Sequence, residues 1–485
     1  SQLSSERAPD TMGCMTTATN ATETFKAIDR EHVWHPFTPM RTWRELEMPV
    51  IERAEGFRLF DTDDRSYIDG NSSLWCNVHG HRVTEIDGAV REQLERIAHS
   101  TMLGLSNVPA TEFAGRLVEI APGEMKREGT KVFYSDAGAT AVEVGMKVAR
   151  GHHYYRGETR RDTFVGIRGA YHGDTSGSMS IGYDDHLHGP YKPMTFGCEW
   201  APSPAPCASS RRGNALGWPS ADPNLRELCL HEAVEALERV LDGLGDRCAG
   251  IVVEPLIQGA SGILEHPEGY LRAADELAKS RGVPLIADEV AVGFGRTGEM
   301  FACDVEGVTP DILCLGKGIS GGYMPLAATL IREHIAESFD GDEGEYRTFF
   351  HGHTYTGNPL ACAAAIASLD LFESNGVVEN ASRIGRVIRG VLGERLEDHP
   401  NVGDLRGRGV ITGIELVRSR SPHEAFERSA RVAYGVCDLA REAGAIVRPL
   451  GDTLVLNPAP AMDETTAREL SEITADAIMA FDFPA

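Results

Sequence analysis

The sequence predicts an α/β protein: one large, doubly wound and mostly parallel sheet domain, with a smaller α+β domain beside it. Three observations carry this expectation. From about residue 130 the chain repeats an apolar strand, a glycine-bearing turn and a helical stretch, the rhythm of parallel strands joined by covering helices. After Asn358 that rhythm gives way to shorter strands flanking amphipathic stretches. The 485 residues, 42% hydrophobic and 25% charged, suffice for a sizeable core and exclude a wholly disordered or fibrous chain.

In chain order, residues 1–24 are rich in Ser and Thr and read as a disordered tail. Phe57 to Asp69 reads as a hairpin turning at Asp63 and Asp64. Thr130 to Tyr134 is the first clear strand of the large sheet, followed by the turn Ser135 to Thr140 and a buried helix over Ala141 to Arg150. Further strands are expected at Thr163 to Ile167, Gly250 to Glu254, Pro284 to Val290, Asp311 to Leu315 and Leu326 to Ile331. Residues 200–223 are Pro- and Ser-rich without periodicity and read as a surface loop, while Gly269 to Arg281 is a helix stopped by Gly282. Pro359 to Glu373 is a buried helix with proline in its first turn. Short strands follow over Val402 to Val417, Ala445 to Arg448 and Thr453 to Leu456, with helices near Arg431 to Ala443 and Glu464 to Met479. The small domain would thus take residues 25–90 and 371–485 and the large domain residues 91–370.

Lys plus Arg number 47 and Asp plus Glu 72, a net charge of −25 that disfavours nucleic acid and anionic membrane surfaces as partners. No apolar run reaches membrane-spanning length. The ten cysteines show no C-x-x-C spacing and read as reduced, mostly buried thiols, so a cytoplasmic setting is expected. The pairs His79 and His81, and His351 and His353, bring no third ligand at metal spacing, and no metal site is expected.

Three strand ends carry residues suited to chemistry. The turn Ser135 to Thr140 opens a helix, so its N–H groups point at one spot that suits a phosphate; a plain tight connection is the commoner use of such a turn. Asp288 ends an apolar strand and faces the crevice where α/β sheets bind ligands, although a helix cap or salt bridge would also explain it. Lys317 follows another strand between two glycines, a place where a lysine is usually solvated. Together they supply what pyridoxal phosphate needs: a Schiff-base lysine, a carboxylate for the pyridinium nitrogen and a phosphate cradle. Tyr171, in Tyr171-His172-Gly173-Asp174, puts an aromatic ring at the same edge.

These residues resemble the class III aminotransferases of the type I pyridoxal phosphate fold, from about Asp29 to the end of the chain. The resemblance rests on Ile286 to Val290, Gly293 to Gly298 and Pro310 to Lys317, in that order and spacing. Within the family, His32 to Phe37, Ser72 to Trp75, Tyr171 to Asp174 and His351 to Asn358 are similar to the biotin-pathway branch, which converts 8-amino-7-oxononanoate to 7,8-diaminononanoate. General ω-amino acid or diamine aminotransferases rarely combine them. The resemblance implies that Lys317 binds the cofactor and shuttles the proton and that Asp288 holds the ring nitrogen protonated. It implies phosphate contacts from Gly138 and Ala139, a ring cover from Tyr171, and a homodimer whose second subunit brings His353 and Thr354 to the phosphate. Substrate contacts are implied for Phe37, Leu74, Trp75, Gly352 and Arg448, the last as the carboxylate ligand.

Two departures stand out. Ala137 and Ala139 replace serines common in the family's phosphate turn, leaving the N–H groups without hydroxyls. Phe37, Leu74 and Val455 stand where the S-adenosylmethionine-using branch carries tyrosine, tryptophan and tyrosine. Ser73 to Trp75, Asn77 to His81 and Arg448 to Asp452 resemble the branch that takes its amino group from L-lysine, which makes lysine the expected donor and S-adenosylmethionine the second choice. The rival readings are a general ω-amino acid or diamine:pyruvate aminotransferase and a cofactor-binding protein without activity.

Overall fold

The computed structural model describes residues 18–127, 129–205 and 223–484. Its centre is a seven-stranded sheet in the order Lys131–Ser135, Ala327–Ile331, Ile312–Leu315, Leu285–Asp288, Cys248–Val253, Thr163–Ile167 and Glu199–Ala201. Every pairing from Ile312–Leu315 to Glu199–Ala201 is parallel. Ala327–Ile331 runs antiparallel to both neighbours. Two reversals in succession return Lys131–Ser135 to the common direction, so its carboxyl end opens on the same sheet edge as those of the parallel strands. The parallel strands Thr163–Ile167, Cys248–Val253, Leu285–Asp288 and Ile312–Leu315 are buried at every position, as strands covered on both faces must be.

Helices cover both faces. Gly138–Tyr155 lies over one, packing Val142, Val144 and Val148 with Ile286, Ile312 and Cys314. On the other face Tyr270–Arg281 and Pro359–Asn375 close the main core, through Leu271, Ala274, Ala361 and Leu369. Tyr270–Arg281 ends where expected, at Gly282 with φ +60°, a conformation that costs glycine little.

The two chain ends meet in two small sheets. Ile51–Glu55, Arg58–Asp61 and Ser66–Asp69 form an antiparallel ladder that gains Ala445–Ile446 as a parallel fourth strand. The hairpin turn holds because Asp61 Oδ1 accepts from the N–H groups of Asp63 and Arg65, at 3.0 and 2.9 Å. Val402–Arg408, Ile411–Leu416, Thr453–Leu456 and Arg448–Leu450 form the second sheet, against which Val377–Leu396 and Glu464–Ala480 pack a separate core.

Three expectations need correction or limits. The tail expected over residues 1–24 is partly helix: Ala18–His32 is helical, because Thr22 anchors it by hydrogen bonds of 2.9 Å to Thr62 and to Asp63; residues 1–17 lie outside the described residues. The boundaries placed near 90 and 370 fall inside the continuous helices Thr84–Arg96 and Pro359–Asn375. The loop expected over 200–223 begins after Glu199–Ala201, and its residues 206–222 lie outside the described residues. No single described helix is long and apolar enough to cross a membrane; the bent pair Pro359–Asn375 and Val377–Leu396 passes by composition, but its apolar residues are core.

Candidate active site

Four strand ends converge at one edge. Register pairs Asp288 with Cys314, so Asp288 and the segment leading to Lys317 emerge side by side. Glu254 follows Cys248–Val253, and Tyr171 and His172 follow Thr163–Ile167. A cavity of about 430 Å³ lies there, lined by Leu74, Gly138, Ala139, Tyr171, His172, Asp174, Glu254, Asp288, Val290 and Lys317 among others. Residues from separate strand ends thus come together in one pocket.

The charged groups are ordered by short contacts. Asp288 is buried; its Oδ1 accepts from the Val290 N–H at 3.0 Å and its Oδ2 lies 2.7 Å from His172 Nδ1. Burial alone would push the His172 imidazole down, but the hydrogen bond and charge of Asp288 outweigh it and hold the group above its ordinary value. The buried Glu254 accepts from the Tyr171 and Gly259 N–H groups, each at 3.1 Å, and burial raises it to about 7. Burial pushes the Lys317 amine down from its ordinary value, against the pull of Asp288 and Glu254. Lys317 has φ +44°, a conformation a side-chain-bearing residue holds only where its surroundings fix it.

The phosphate-type turn survives without its serines. Thr140 Oγ1 accepts from the Ala137 N–H at 3.1 Å and donates to the Ala137 carbonyl at 2.7 Å, locking the turn. The N–H groups of Gly138, Ala139 and Thr140 are the first of the eighteen-residue helix Gly138–Tyr155 and have no partner inside it. A Cβ on Gly138 would lie 2.4 Å from Val290 Cγ1, so only glycine lets this turn approach the strand end. A cradle of N–H groups without partners in the helix, a buried carboxylate and a lysine whose amine burial pushes down fit pyridoxal phosphate part for part.

The opposite wall is built differently. Ser72, Ser73, Leu74 and Trp75 form a left-handed turn with φ of 42°, 51°, 78° and 65°. Each such residue costs about 1–2 kcal/mol, and a buried network holds the turn in place. Asp69 accepts from the Ser73 N–H and hydroxyl at 2.9 and 2.7 Å and lies 3.0 Å from His81 Nε2. Ser72 Oγ donates to the Asn457 carbonyl at 2.7 Å, and Trp75 Nε1 to Asn71 Oδ1 at 2.8 Å. The turn leaves Leu74 half exposed at the cavity and puts the Trp75 ring centroid 5.3 Å from Lys317 Nζ.

The remaining predicted residues lie further out. Phe37 is exposed and meets Tyr171 edge-on at 6.4 Å, while the Tyr171 hydroxyl donates to Asp174 at 2.7 Å. Arg448 sits on Arg448–Leu450 opposite Val455, and its guanidinium has no hydrogen-bond or ion-pair partner among the described residues. Val455 is 1% exposed and packs with Trp75 and Ile263, so it acts on the wall from behind rather than lining the cavity. Gly352 and Thr354 are exposed outside the cavity; His353 Nδ1 lies 3.1 Å from Asp136 of the same chain. His79 and His81 diverge, to Ser368 and Asp69.

Two contributors were not assigned roles from sequence. His172 stood inside a quoted motif, but its pairing with Asp288 is a contact across 116 positions. Glu254 ends an apolar strand just as Asp288 does, and that shared position was the signal that could have found it.

Fold and site together define a pyridoxal phosphate enzyme built on a large, mostly parallel sheet. The class-III aminotransferase model matches residues 41–478. A Nitratidesulfovibrio vulgaris protein named adenosylmethionine-8-amino-7-oxononanoate aminotransferase is 48% identical over 96% of this chain and 83% of its own length. The crystal structure of the Methanocaldococcus jannaschii protein of that name is similar, with a TM-score of 0.87 and 37% identity over 95% of this chain and all of that one. A pyridoxal phosphate-bound amine transaminase from an uncultivated Pseudomonas species has a TM-score of 0.84 and 32% identity, covering 92% and 98% of the two chains. This chain belongs to the class III aminotransferase family, and it is a pyridoxal phosphate-dependent transaminase.

Proposed function

We propose that this aminotransferase converts 8-amino-7-oxononanoate to 7,8-diaminononanoate in biotin biosynthesis, with L-lysine as the amino donor. The observation that carries the acceptor is similarity along almost the whole chain to relatives named for that substrate. Arg448 supports it: an unpaired guanidinium opposite Val455 suits a substrate carboxylate at the far end of an aliphatic chain. The relatives' names give adenosylmethionine as donor. The reading departs from them because the cavity wall here includes the aliphatic Leu74, and Phe37, edge-on to Tyr171, carries no hydroxyl. A sulfonium cation gains roughly 0.5–2 kcal/mol from each aromatic face it meets, and a leucine wall forfeits part of that.

Pyridoxal phosphate, when bound, supplies the electron sink that lets a proton leave the carbon bearing the amine. The N–H groups of Gly138 and Ala139 would hold its phosphate, Asp288 its ring nitrogen, Tyr171 its ring and Lys317 its aldehyde carbon. Asp288 can hold a ring proton because His172 and the Val290 N–H fix both of its oxygens. Lys317 Nζ, its proton held less tightly than an ordinary amine's because of burial, takes up a proton and returns it, so the lysine that binds the cofactor also serves as base and acid. Trp75 and Leu74 exclude water from that exchange, and Arg448 orients a carboxylate in either half-reaction. We further read the active unit as a homodimer whose second copy adds His353 and Thr354, and the chain as a large domain around the seven-stranded sheet with a small domain around the two four-stranded sheets.

Initial rates with 8-amino-7-oxononanoate held constant and L-lysine, S-adenosylmethionine and simple ω-amino acids at matched concentrations test the reading. Product with lysine and little with S-adenosylmethionine is expected. Faster product formation with S-adenosylmethionine would overturn the donor, and turnover of pyruvate but not of 8-amino-7-oxononanoate would favour the general ω-amino acid reading.

A further inference from the structure

Arg296 lies in the loop after Asp288 and is 1% exposed, the largest of the fully buried side chains among the described residues. Among the described residues its guanidinium meets neutral acceptors only. Nη1 donates to Asn457 Oδ1 at 2.8 Å and to the Pro458 carbonyl at 3.4 Å, and Nη2 to the Asn77 carbonyl at 3.1 Å. Burial lowers the group to about 10, which leaves it charged at neutral pH. A buried cation without a carboxylate beside it is costly, and hydrogen bonds to carbonyls repay only part of that cost.

The acceptors are the segments that shape the cavity wall. Asn77 leaves the left-handed turn two residues after Trp75, and the Asn457 carbonyl is the group that Ser72 Oγ binds at the turn's other end. Arg296 therefore joins both ends of the strained turn to the loop that begins at Asp288.

We propose that Arg296 is a positioning residue for the reaction: its fork, tied to Asn457 and to the Asn77 carbonyl, fixes the turn that sets Trp75 against Lys317. Arg296→Lys and Arg296→Met both lose the fork.

Two readouts on the holoenzyme test it: acrylamide quenching of the fluorescence lost in a Trp75→Phe background, and the split of any activity loss between KM and kcat. Both variants should make Trp75 easier to quench and raise KM by about tenfold with kcat changed less, the loss expected of a displaced wall. Unchanged quenching in both variants, or a loss confined to kcat, would overturn the clamp. Should Arg296→Met not fold, Asn457→Ala removes one acceptor of the fork; it must make Trp75 easier to quench as well, and no change there refutes the proposal.

Discussion

The cofactor end of the site and its substrate wall are held by opposite means. Asp288 ends a parallel strand buried at every position, and Glu254, His172 and Lys317 follow others, so their placement is inherited from the sheet. Leu74 and Trp75 stand on four consecutive left-handed residues, a conformation the chain adopts only because Asp69, Asn71, Asn457 and Arg296 pin it from distant segments. The first arrangement takes its place from the sheet and carries a left-handed residue only at Lys317. The second is strained and depends on all its supports, which suits a wall that sets substrate choice on a scaffold whose chemistry is shared.

If that contrast is right, changes at the cofactor end should destroy chemistry and spare the fold, while changes at the wall should alter binding. The largest effect belongs to Lys317→Ala, which removes both the attachment point and the proton shuttle; a loss of at least about 10⁴-fold in kcat with an unchanged thermal unfolding curve is expected. Asp288→Asn should keep cofactor but lose about 3–4 kcal/mol of transition-state stabilisation, since a neutral amide cannot hold the pyridinium proton. Single-turnover rates at wild-type level would remove Asp288 from the mechanism. Arg448→Ala should weaken carboxylate-bearing substrates by about 2–5 kcal/mol and spare simple amines. Equal losses for both kinds of substrate would make Arg448 structural and erase the contrast on the wall side.

The smallest effect is on stability. Glu254 has its carboxyl raised to about 7 by burial, whereas an unfolded glutamate titrates near 4.5. The folded state therefore holds the proton more tightly, and the contribution of this group, present in full below the unfolded value, is lost as pH rises from about 4.5 to about 7. Glu254→Gln keeps the shape without the charge, and it should be more stable than the wild type above neutral pH by about 2–3 kcal/mol and equal to it near pH 4. Thermal unfolding of the cofactor-free proteins across pH measures this directly. A wild-type advantage at high pH would mean that Glu254 is ionised and usefully paired.

The same contrast explains what could be read in the sequence. The parallel strands are legible as apolar runs bounded by glycine and acid, so Asp288, Lys317 and the turn Ser135 to Thr140 stand out by position, although only their combination and the family resemblance give them roles. The left-handed turn could not be found that way, because nothing in Ser72-Ser73-Leu74-Trp75 favours positive φ; the conformation comes from Asp69 and Asn457, the latter 385 positions from Ser72. His172 shows the same limit, since its motif was visible and its partner was not. The helix Ala18–His32 was missed because its anchor, Thr22 on Thr62 and Asp63, is tertiary and the segment's composition is polar.

The account turns on one lysine at one strand end, and borohydride reduction of the holoenzyme followed by peptide mapping addresses it most directly. Reduction fixes the cofactor to whichever lysine carries it. The structure predicts a single labelled peptide, the one that spans Ile312–Leu315 and Lys317, with the label on Lys317. Label on any other lysine would contradict the assignment of the site and, with it, the roles given to Asp288, His172 and Arg296.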